Sequence, residues 1–196
     1  DNDTNCTSTS DVTIAAPPAA LTISNLDVTD LSCSTSGTVP GSVTITATDG
    51  WGSYEYELED PAGGTVGPQS TNSFAGLTDT SGAYTVTVRD AGGCEVTDTF
   101  TLNPTVAPVL EVTANSLCYD SATGLTLTAN VTSGGEAPFQ YRLSGGGAYQ
   151  LNADFTGLTP GSYTVEVIDN KSCTASASID VFPTLTASAS LVKDLD

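Results

Sequence analysis

The sequence predicts an all-β protein built from tandem antiparallel β-sandwich domains that follow one another end to end. Three observations lead to this prediction. Apolar and polar residues alternate with a period of two, no stretch has the spacing of an amphipathic helix, and one hairpin motif occurs twice. The copies read YTVTVRDAGGC at 84–94 and YTVEVIDNKSC at 163–173. The 196 residues are therefore interpreted as two domains rather than one.

The predicted strands follow in the same order in both copies. In residues 42–48, valine, isoleucine and alanine share one face while threonines occupy the other, and residues 125–131 repeat this pattern. Residues 54–59 alternate tyrosine or leucine with glutamate, and residues 139–143 match them. Half-buried antiparallel strands produce such alternation, and threonine keeps the outer face both polar and strand-forming.

An aromatic–x–Gly–Leu corner precedes each hairpin, at 74–77 and at 155–158. Tyr84 and Tyr163 open the strand that follows this corner. In Greek-key sandwiches a tyrosine at this place bonds back to the loop through its hydroxyl group, which is known as a tyrosine corner. Tyr84 and Tyr163 are therefore predicted tyrosine corners.

Short proline-containing linkers suggest the domain boundaries. Residues 19–104 form the first predicted repeat and residues 108–183 the second. Residues 1–16 match the last hairpin strand of a preceding repeat, and residues 185–196 match the first strand of a following one. Proline stiffens such joints and cannot continue a strand ladder across them, which favours a rod.

The composition narrows the kinds of partner. The chain has 23 acidic and four basic residues, no histidine, and a formal charge of −19. This charge repels nucleic acid and disfavours anionic membrane surfaces. Because no apolar segment is long enough to span a bilayer, we expect no direct membrane insertion in this sequence.

With strands, corner and hairpin placed, the units resemble SprB-type repeats of cell-surface gliding adhesins and other cargo of the type IX secretion system. The second unit carries the family pattern as GLTPGSYTVEVID at 157–169, with Ser172 where the family has glycine. The first unit has two extra residues in the corner but keeps Gly93 and Cys94. The resemblance implies Ig-like domains with an extracellular structural or adhesive role and brings no catalytic residue.

The five cysteines indicate an oxidising compartment. One interpretation pairs them within repeats, as Cys33–Cys94 and Cys118–Cys173. In Ig topology, however, the two cysteines of a repeat lie at opposite ends of a strand, whereas bonded cysteines need Cα atoms within about 7 Å. The alternative is therefore Cys33–Cys173, across the joint between repeats. Cys6 belongs to an incomplete repeat and is expected to pair outside this sequence.

Other candidate sites have weaker signals. Aspartates near turns (Asp1, Asp3, Asp49, Asp60, Asp90 and Asp169) leave calcium open as a ligand, although no known calcium-loop spacing occurs. Trp51, flanked by glycines, is a candidate for stacking on a sugar ring or for capping a small core. Ser121, in Asp-Ser-Ala, resembles an O-glycosylation motif of bacteria that carry this repeat family.

The sequence offers no catalytic constellation, no zinc-binding pattern and no phosphate loop, so we expect a protein without enzymatic activity. The favoured hypothesis is a stalk or spacer segment of a long adhesin or filament at the cell surface. Its expected partners are neighbouring repeats of the same chain, extracellular polysaccharide or other filament subunits. The alternative hypothesis is a carbohydrate-binding accessory module of a secreted protein.

Overall fold

The computed structural model describes residues 9–11, 16–17, 19–119, 121–122 and 124–185. Every regular secondary-structure element in these residues is a β-strand, so the predicted all-β class is confirmed. They are β1 (Thr22–Thr29), β2 (Ser32–Ser34), β3 (Gly37–Val39), β4 (Gly41–Thr48), β5 (Glu55–Glu59), β6 (Thr65–Gln69), β7 (Ser73–Leu77), β8 (Ala83–Arg89), β9 (Glu95–Thr101), β10 (Val109–Ala114), β11 (Leu125–Ser133), β12 (Gln140–Leu143), β13 (Asp154–Leu158), β14 (Gly161–Ile168) and β15 (Thr174–Val181). Within the described ranges there is no helix able to cross a membrane.

The chain divides into two compact units. The first consists of Asp1–Thr29 and Ser42–Leu102. It has a three-stranded sheet in the order β1-β4-β7 and a four-stranded sheet in the order β6-β5-β8-β9. Alternate residues of the central strands are buried, namely Val43 and Ile45 in one sheet and Tyr56, Leu58, Val86 and Val88 in the other. The period-two pattern of the sequence therefore gives each sheet one buried face.

The second unit consists of Asp30–Gly41 and Asn103–Asp196. Its sheets have the orders β10-β11-β13 and β12-β14-β15. Residues of both sheets share the core: Ala129 of β11 packs in one cluster with Tyr141, Val165 and Val167 of the other sheet. A second cluster joins Leu125 and Leu127 to Val181. The unit is therefore a β-sandwich.

Both units have the strand order of an Ig-like sandwich. In the first unit, the first, second and fifth of its seven strands form one sheet, and the remaining four form the other. The second unit repeats this order, with a single bridge between Tyr141 and Gln150 where the first unit has β6. Such an order defines the Greek-key sandwiches of the Ig class, so the predicted Ig-like fold is confirmed.

One segment departs from the sequence-based boundaries. Residues 30–41 fall inside the first repeat by sequence, yet they pack with the second unit. They contain the short hairpin of β2 and β3, in which Cys33 lies opposite Thr38. The Cys33 backbone amide donates to Lys171 O at 2.8 Å, which attaches the hairpin to the second unit. The predicted terminal pieces, 1–16 and 185–196, lie largely outside the described residues.

Candidate functional site at the cysteine turns

Two equivalent turns, residues 90–94 and 169–173, form the most elaborate local structures of the chain. We call them the first and second cysteine turns, because each begins with an aspartate and ends with a cysteine. In the first, Asp90 N donates to Cys94 O and Gly93 N to Asp90 O, both at 3.0 Å. In the second, the corresponding bonds join Asp169 to Cys173 at 3.0 Å and Ser172 to Asp169 at 3.1 Å.

The aspartate that opens each turn is buried: Asp90 is 4% exposed and Asp169 is 7% exposed. Asp90 Oδ1 accepts hydrogen bonds from Gly92 N and Cys94 N, both at 2.9 Å, and Oδ2 accepts from Trp51 N at 2.9 Å. A carboxylate is costly to bury unless donors satisfy its oxygens, and backbone amides do so here.

Asp169 has the same role in the second turn. Its Oδ1 accepts from Cys173 N at 2.7 Å, and its Oδ2 accepts from Glu136 N at 3.0 Å. Each carboxylate thus ties the turn to a loop that precedes it in the chain, at Trp51 in the first unit and at Glu136 in the second. The aspartates act as clamps between two backbone segments.

The hydrogen bonds lower the pKa of Asp90, the clamping residue of the first turn. Burial acts to raise the pKa of the Asp90 carboxyl group, but the amides of Trp51, Cys94 and Gly92 outweigh it and hold the pKa below its ordinary value. Because backbone amides bond the ionised form, they stabilise the charge in place. Asp90 is therefore ionised in neutral solution.

A glycine in each clamped loop allows the close approach. Gly50 has φ +67°, and a Cβ at this position would lie 2.4 Å from Asp90 Oδ2. Gly135 has φ +69°, and a Cβ there would lie 2.7 Å from the Phe139 ring. Only glycine adopts this backbone region freely and leaves room for the neighbouring atoms.

The two turns differ at their third residue. In the first turn this residue is Gly92, and the Trp51 ring covers it so closely that a Cβ would lie 2.0 Å from Trp51 Cδ1. In the second turn it is Lys171, whose ammonium group lies 3.4 Å from Asp30 Oδ2 and 3.5 Å from Glu136 Oε2. The second turn therefore carries a cation that holds the 30–41 segment.

A disulfide joins this segment to the second turn. Cys33 and Cys173 are bonded, with Sγ atoms 2.05 Å apart and Cα atoms 4.8 Å apart. The structure thus has the Cys33–Cys173 pairing, which joins the two repeats as the sequence delimits them. The pairings Cys33–Cys94 and Cys118–Cys173 are not formed. Cys94 and Cys118 are free and exposed. Cys6 lies outside the described residues.

The physical reason appears in the second unit. Cys118 forms a bridge with Phe182, which follows the end of β15, whereas Cys173 directly precedes the start of β15. The eight residues of this strand span roughly 26 Å, which is far beyond disulfide distance. The two cysteines of one repeat therefore lie at opposite ends of its last strand.

The predicted corner tyrosines make hydrogen bonds of the tyrosine-corner type. The Tyr84 hydroxyl group accepts from Asp79 N at 3.0 Å. The Tyr163 hydroxyl group donates to Thr159 O at 2.6 Å and accepts from Thr159 N at 3.2 Å. In both units the ring anchors the loop that precedes the penultimate strand.

The remaining sequence candidates belong to separate loops of the chain. Trp51 is 42% exposed, with one part of its ring against Gly92, and its role in sugar stacking stays a prediction. Ser121 is exposed in a turn. Asp60 Oδ1 accepts from the amides of Ala62 and Gly64, as a turn aspartate does. In the described part of the chain, no group of three His, Cys, Asp or Glu side chains could hold a metal ion.

Sequence reasoning missed the residues that hold the 30–41 segment. Asp30 accepts from Asn103 N at 2.8 Å and from Asn103 Nδ2 at 2.9 Å, in addition to its ion pair with Lys171. Burial acts to raise the pKa of Asp30, but the Asn103 hydrogen bonds and the Lys171 charge bring it below its ordinary value. The available signal in the sequence was Lys171, one of only four basic residues, placed two residues before Cys173.

Comparison with known proteins agrees with the resemblance in the sequence. The family model described as SprB repeat matches the chain twice, over residues 25–63 and 110–148. No curated protein sequence matches the chain. Among solved structures, the chain is similar to a C-terminal 282-residue fragment of intimin, crystallised with the translocated intimin receptor (Tir) intimin-binding domain. The identity is 14% and the TM-score 0.44, and the match covers 82% of this chain and 64% of the fragment.

Proposed function

Since the chain contains two matches to the SprB repeat, we propose that it is a tension-bearing stalk or spacer segment of a long extracellular repeat adhesin or surface filament. Its role would be to hold a more distal part of the protein away from the cell during surface attachment or gliding. A surface repeat protein fits both the repeat matches and the absence of a catalytic constellation in the sequence.

The observation that carries this proposal is the Cys33–Cys173 bond. Its two residues are 140 positions apart, so strands β3 to β14 all lie within the loop that it closes. When the chain is pulled from its ends, the covalent path runs directly from Cys33 to Cys173. The enclosed strands then bear no tension along the backbone, and pulling cannot draw them out.

The surface supports the same role. The outward positions of the strands are rich in threonine and serine, as in β14 and β15, where Thr164 and Ser178 bond at 2.8 Å. A formal charge of −19 disfavours close lateral association of identical chains. Such a surface suits a spacer that is exposed to water along its length.

Single-molecule pulling tests the proposal. With handles on both ends, the oxidised chain should extend only through residues outside the disulfide. Reduction should add roughly 460–500 Å of contour length, the fully extended length of the enclosed residues. The Cys33→Ser variant should give the long extension in both conditions. Equal extension of the wild-type chain before and after reduction would contradict a tension-bearing role for the bond.

A deletion experiment in the parent protein distinguishes the spacer hypothesis from the hypothesis of a carbohydrate-binding module. Removal of residues 19–183 should shorten the reach of the protein from the surface while leaving the affinity of its distal part unchanged. Loss of polysaccharide binding at normal reach would favour the module instead. Trp51→Ala is the matched variant for the module, because Trp51 is the candidate stacking residue.

A further inference from the structure

Among the described residues two cysteines are free, and each is the counterpart of one of the two bonded cysteines, Cys33 and Cys173. Cys94 closes the first cysteine turn and so corresponds to Cys173 in the second. Cys118 lies between β10 and β11, the first two sandwich strands of the second repeat, and so corresponds to Cys33, which lies between β1 and β4. The chain therefore presents one unpaired cysteine of each kind.

Two exposed apolar side chains lie beside Cys118. Leu117 is 56% exposed and Phe182 is 60% exposed, and the two are tied by a hydrogen bond from Phe182 N to Leu117 O at 2.9 Å. In the completed linkage, Leu31 precedes Cys33 by two residues and is only 6% exposed. Leu117 and Phe182 therefore leave exposed apolar surface beside the free Cys118.

The first cysteine turn, which ends in Cys94, already has the backbone fold of the bonded second turn. The first turn has the same backbone hydrogen bonds and the same aspartate clamp as the second. Cys94 is exposed, whereas Cys173 is only 1% exposed. In the second turn, Lys171 O accepts from Cys33 N at 2.8 Å, and Gly92 is the equivalent residue in the first. The backbone of the first turn therefore has the conformation that receives Cys33 in the second turn, although the Trp51 ring lies over Gly92.

We propose that the surface formed by Leu117, Cys118 and Phe182 and the first cysteine turn with Cys94 are complementary docking surfaces, each of which forms a disulfide with the other kind of surface on another repeat of this kind. This rests on the stalk function proposed above. In a solution of this chain alone, the partner is a second copy, and the bond joins Cys118 of one copy to Cys94 of the other. The two thiols lose two protons and two electrons, and glutathione disulfide accepts them to give two molecules of glutathione.

The test uses the full chain with Cys6→Ser, so that Cys94 and Cys118 are the free cysteines. The protein is incubated in a glutathione redox buffer and digested without reduction, and the linked peptides are identified by mass spectrometry. We expect the Cys94–Cys118 peptide to exceed its statistical share over the Cys94–Cys94 and Cys118–Cys118 peptides. We also expect ladders of multimers that Cys94→Ser or Cys118→Ser abolishes. A statistical mixture of the three peptides, or no linked species, would overturn the proposal.

A matched pair of surface variants tests the docking contact itself. Leu117→Ser should slow formation of the Cys94–Cys118 bond by about tenfold, the effect of losing part of the burial of a leucine. Val66→Ser is the control, because Val66 is 57% exposed on β6, which does not pair with either strand that flanks Cys94. An equal rate for the two variants would show that the pairing is not guided by this surface.

The outcomes distinguish this inference from the stalk function. Random pairing of Cys94 and Cys118, together with a long extension on reduction in the pulling experiment, would reject selective docking and leave the tension-bearing role in place. Selective pairing without any change in extension on reduction would reject the tension-bearing role and retain the docking surfaces.

Discussion

Ser172 holds a left-handed backbone conformation, with φ +63°, at the position where the first cysteine turn has Gly93 with φ +82°. A residue with a Cβ pays about 1–2 kcal/mol for this conformation, whereas glycine adopts it freely but loses more entropy on folding. We expect Ser172→Gly to raise the free energy of unfolding by about 1 kcal/mol, as measured by urea denaturation.

Gly93→Ser is the reciprocal change and should lower the free energy of unfolding by a similar amount. The two variants alter equivalent positions of equivalent turns, which makes each a control for the other. A Ser172→Gly protein less stable than wild type would show that the serine side chain contributes a contact that offsets its backbone conformation.

Asp90 makes stability depend on pH. Its folded pKa lies below the unfolded value of about 3.9, so its contribution is fully present above that value and is lost as the pH falls through the folded pKa. We expect Asp90→Asn to be less stable than wild type at pH 7 and to lose less stability on acidification below about pH 4. Thermal melting across this range measures both effects.

The control for this prediction is Asp98→Asn, because Asp98 is an exposed residue of the edge strand β9. Its substitution removes one exposed carboxylate without removing a clamp, so it reports the effect of charge removal alone. If Asp90→Asn and wild type lose stability in parallel on acidification, Asp90 is not a source of the acid sensitivity.

We expect the β2–β3 hairpin to lose more protection than the sandwich sheets when the disulfide is reduced. Besides Cys33–Cys173, the 30–41 segment is attached through the Cys33 amide and the Asp30 contacts with Lys171 and Asn103. On reduction, we expect faster hydrogen exchange in residues 32–39, with β14 and β15 still protected.

Asp30→Asn is the companion variant for this exchange experiment. It removes the charge partner of Lys171, so exchange in residues 32–39 should rise modestly even in the oxidised protein. Uniformly faster exchange across β14 and β15 on reduction would mean that the bond stabilises the entire second unit rather than the hairpin.

The corner tyrosines anchor loops to strands, and the two corners differ in their hydrogen bonds. Tyr163 has one donated and one accepted bond with Thr159, whereas Tyr84 accepts one bond from Asp79. We expect Tyr163→Phe to lower the free energy of unfolding by about 1–2 kcal/mol and Tyr84→Phe by about 1 kcal/mol. The comparison is made by chemical denaturation, and a larger loss for Tyr84→Phe would contradict this account.

The alternation of apolar and polar residues was enough to predict the strands, because one buried face dictates a period of two. The corner tyrosines were also predictable, since their place after a Gly-Leu corner is local. The location of residues 30–41 was not, because local patterns do not reveal which unit a loop packs against. From sequence alone Asp90 and Asp169 leave calcium open as a ligand, because a clamping aspartate and a ligating one look alike in sequence, and calcium binding stays a prediction.

At the scale of the whole molecule, we expect the net charge to control association between chains. The formal charge of −19 arises from 23 carboxylate side chains against four basic ones, so it disappears as the carboxylates are protonated near pH 4. Without a glutathione redox buffer, so that no disulfides form between copies, we expect dispersed chains at pH 7 and reversible association near pH 4, as measured by light scattering. Scattering that stays constant across this range would show that charge repulsion does not keep the chains apart.

The Cys33–Cys173 bond also affects how the protein survives proteolysis. Exposed loops such as the glycine-rich stretch 144–148 lie between the two bonded cysteines. A protease that cuts the backbone once anywhere in the enclosed region leaves both fragments covalently joined. A filament of such segments would stay in one piece after damage in any enclosed loop, and the cut would become visible only on a reducing gel.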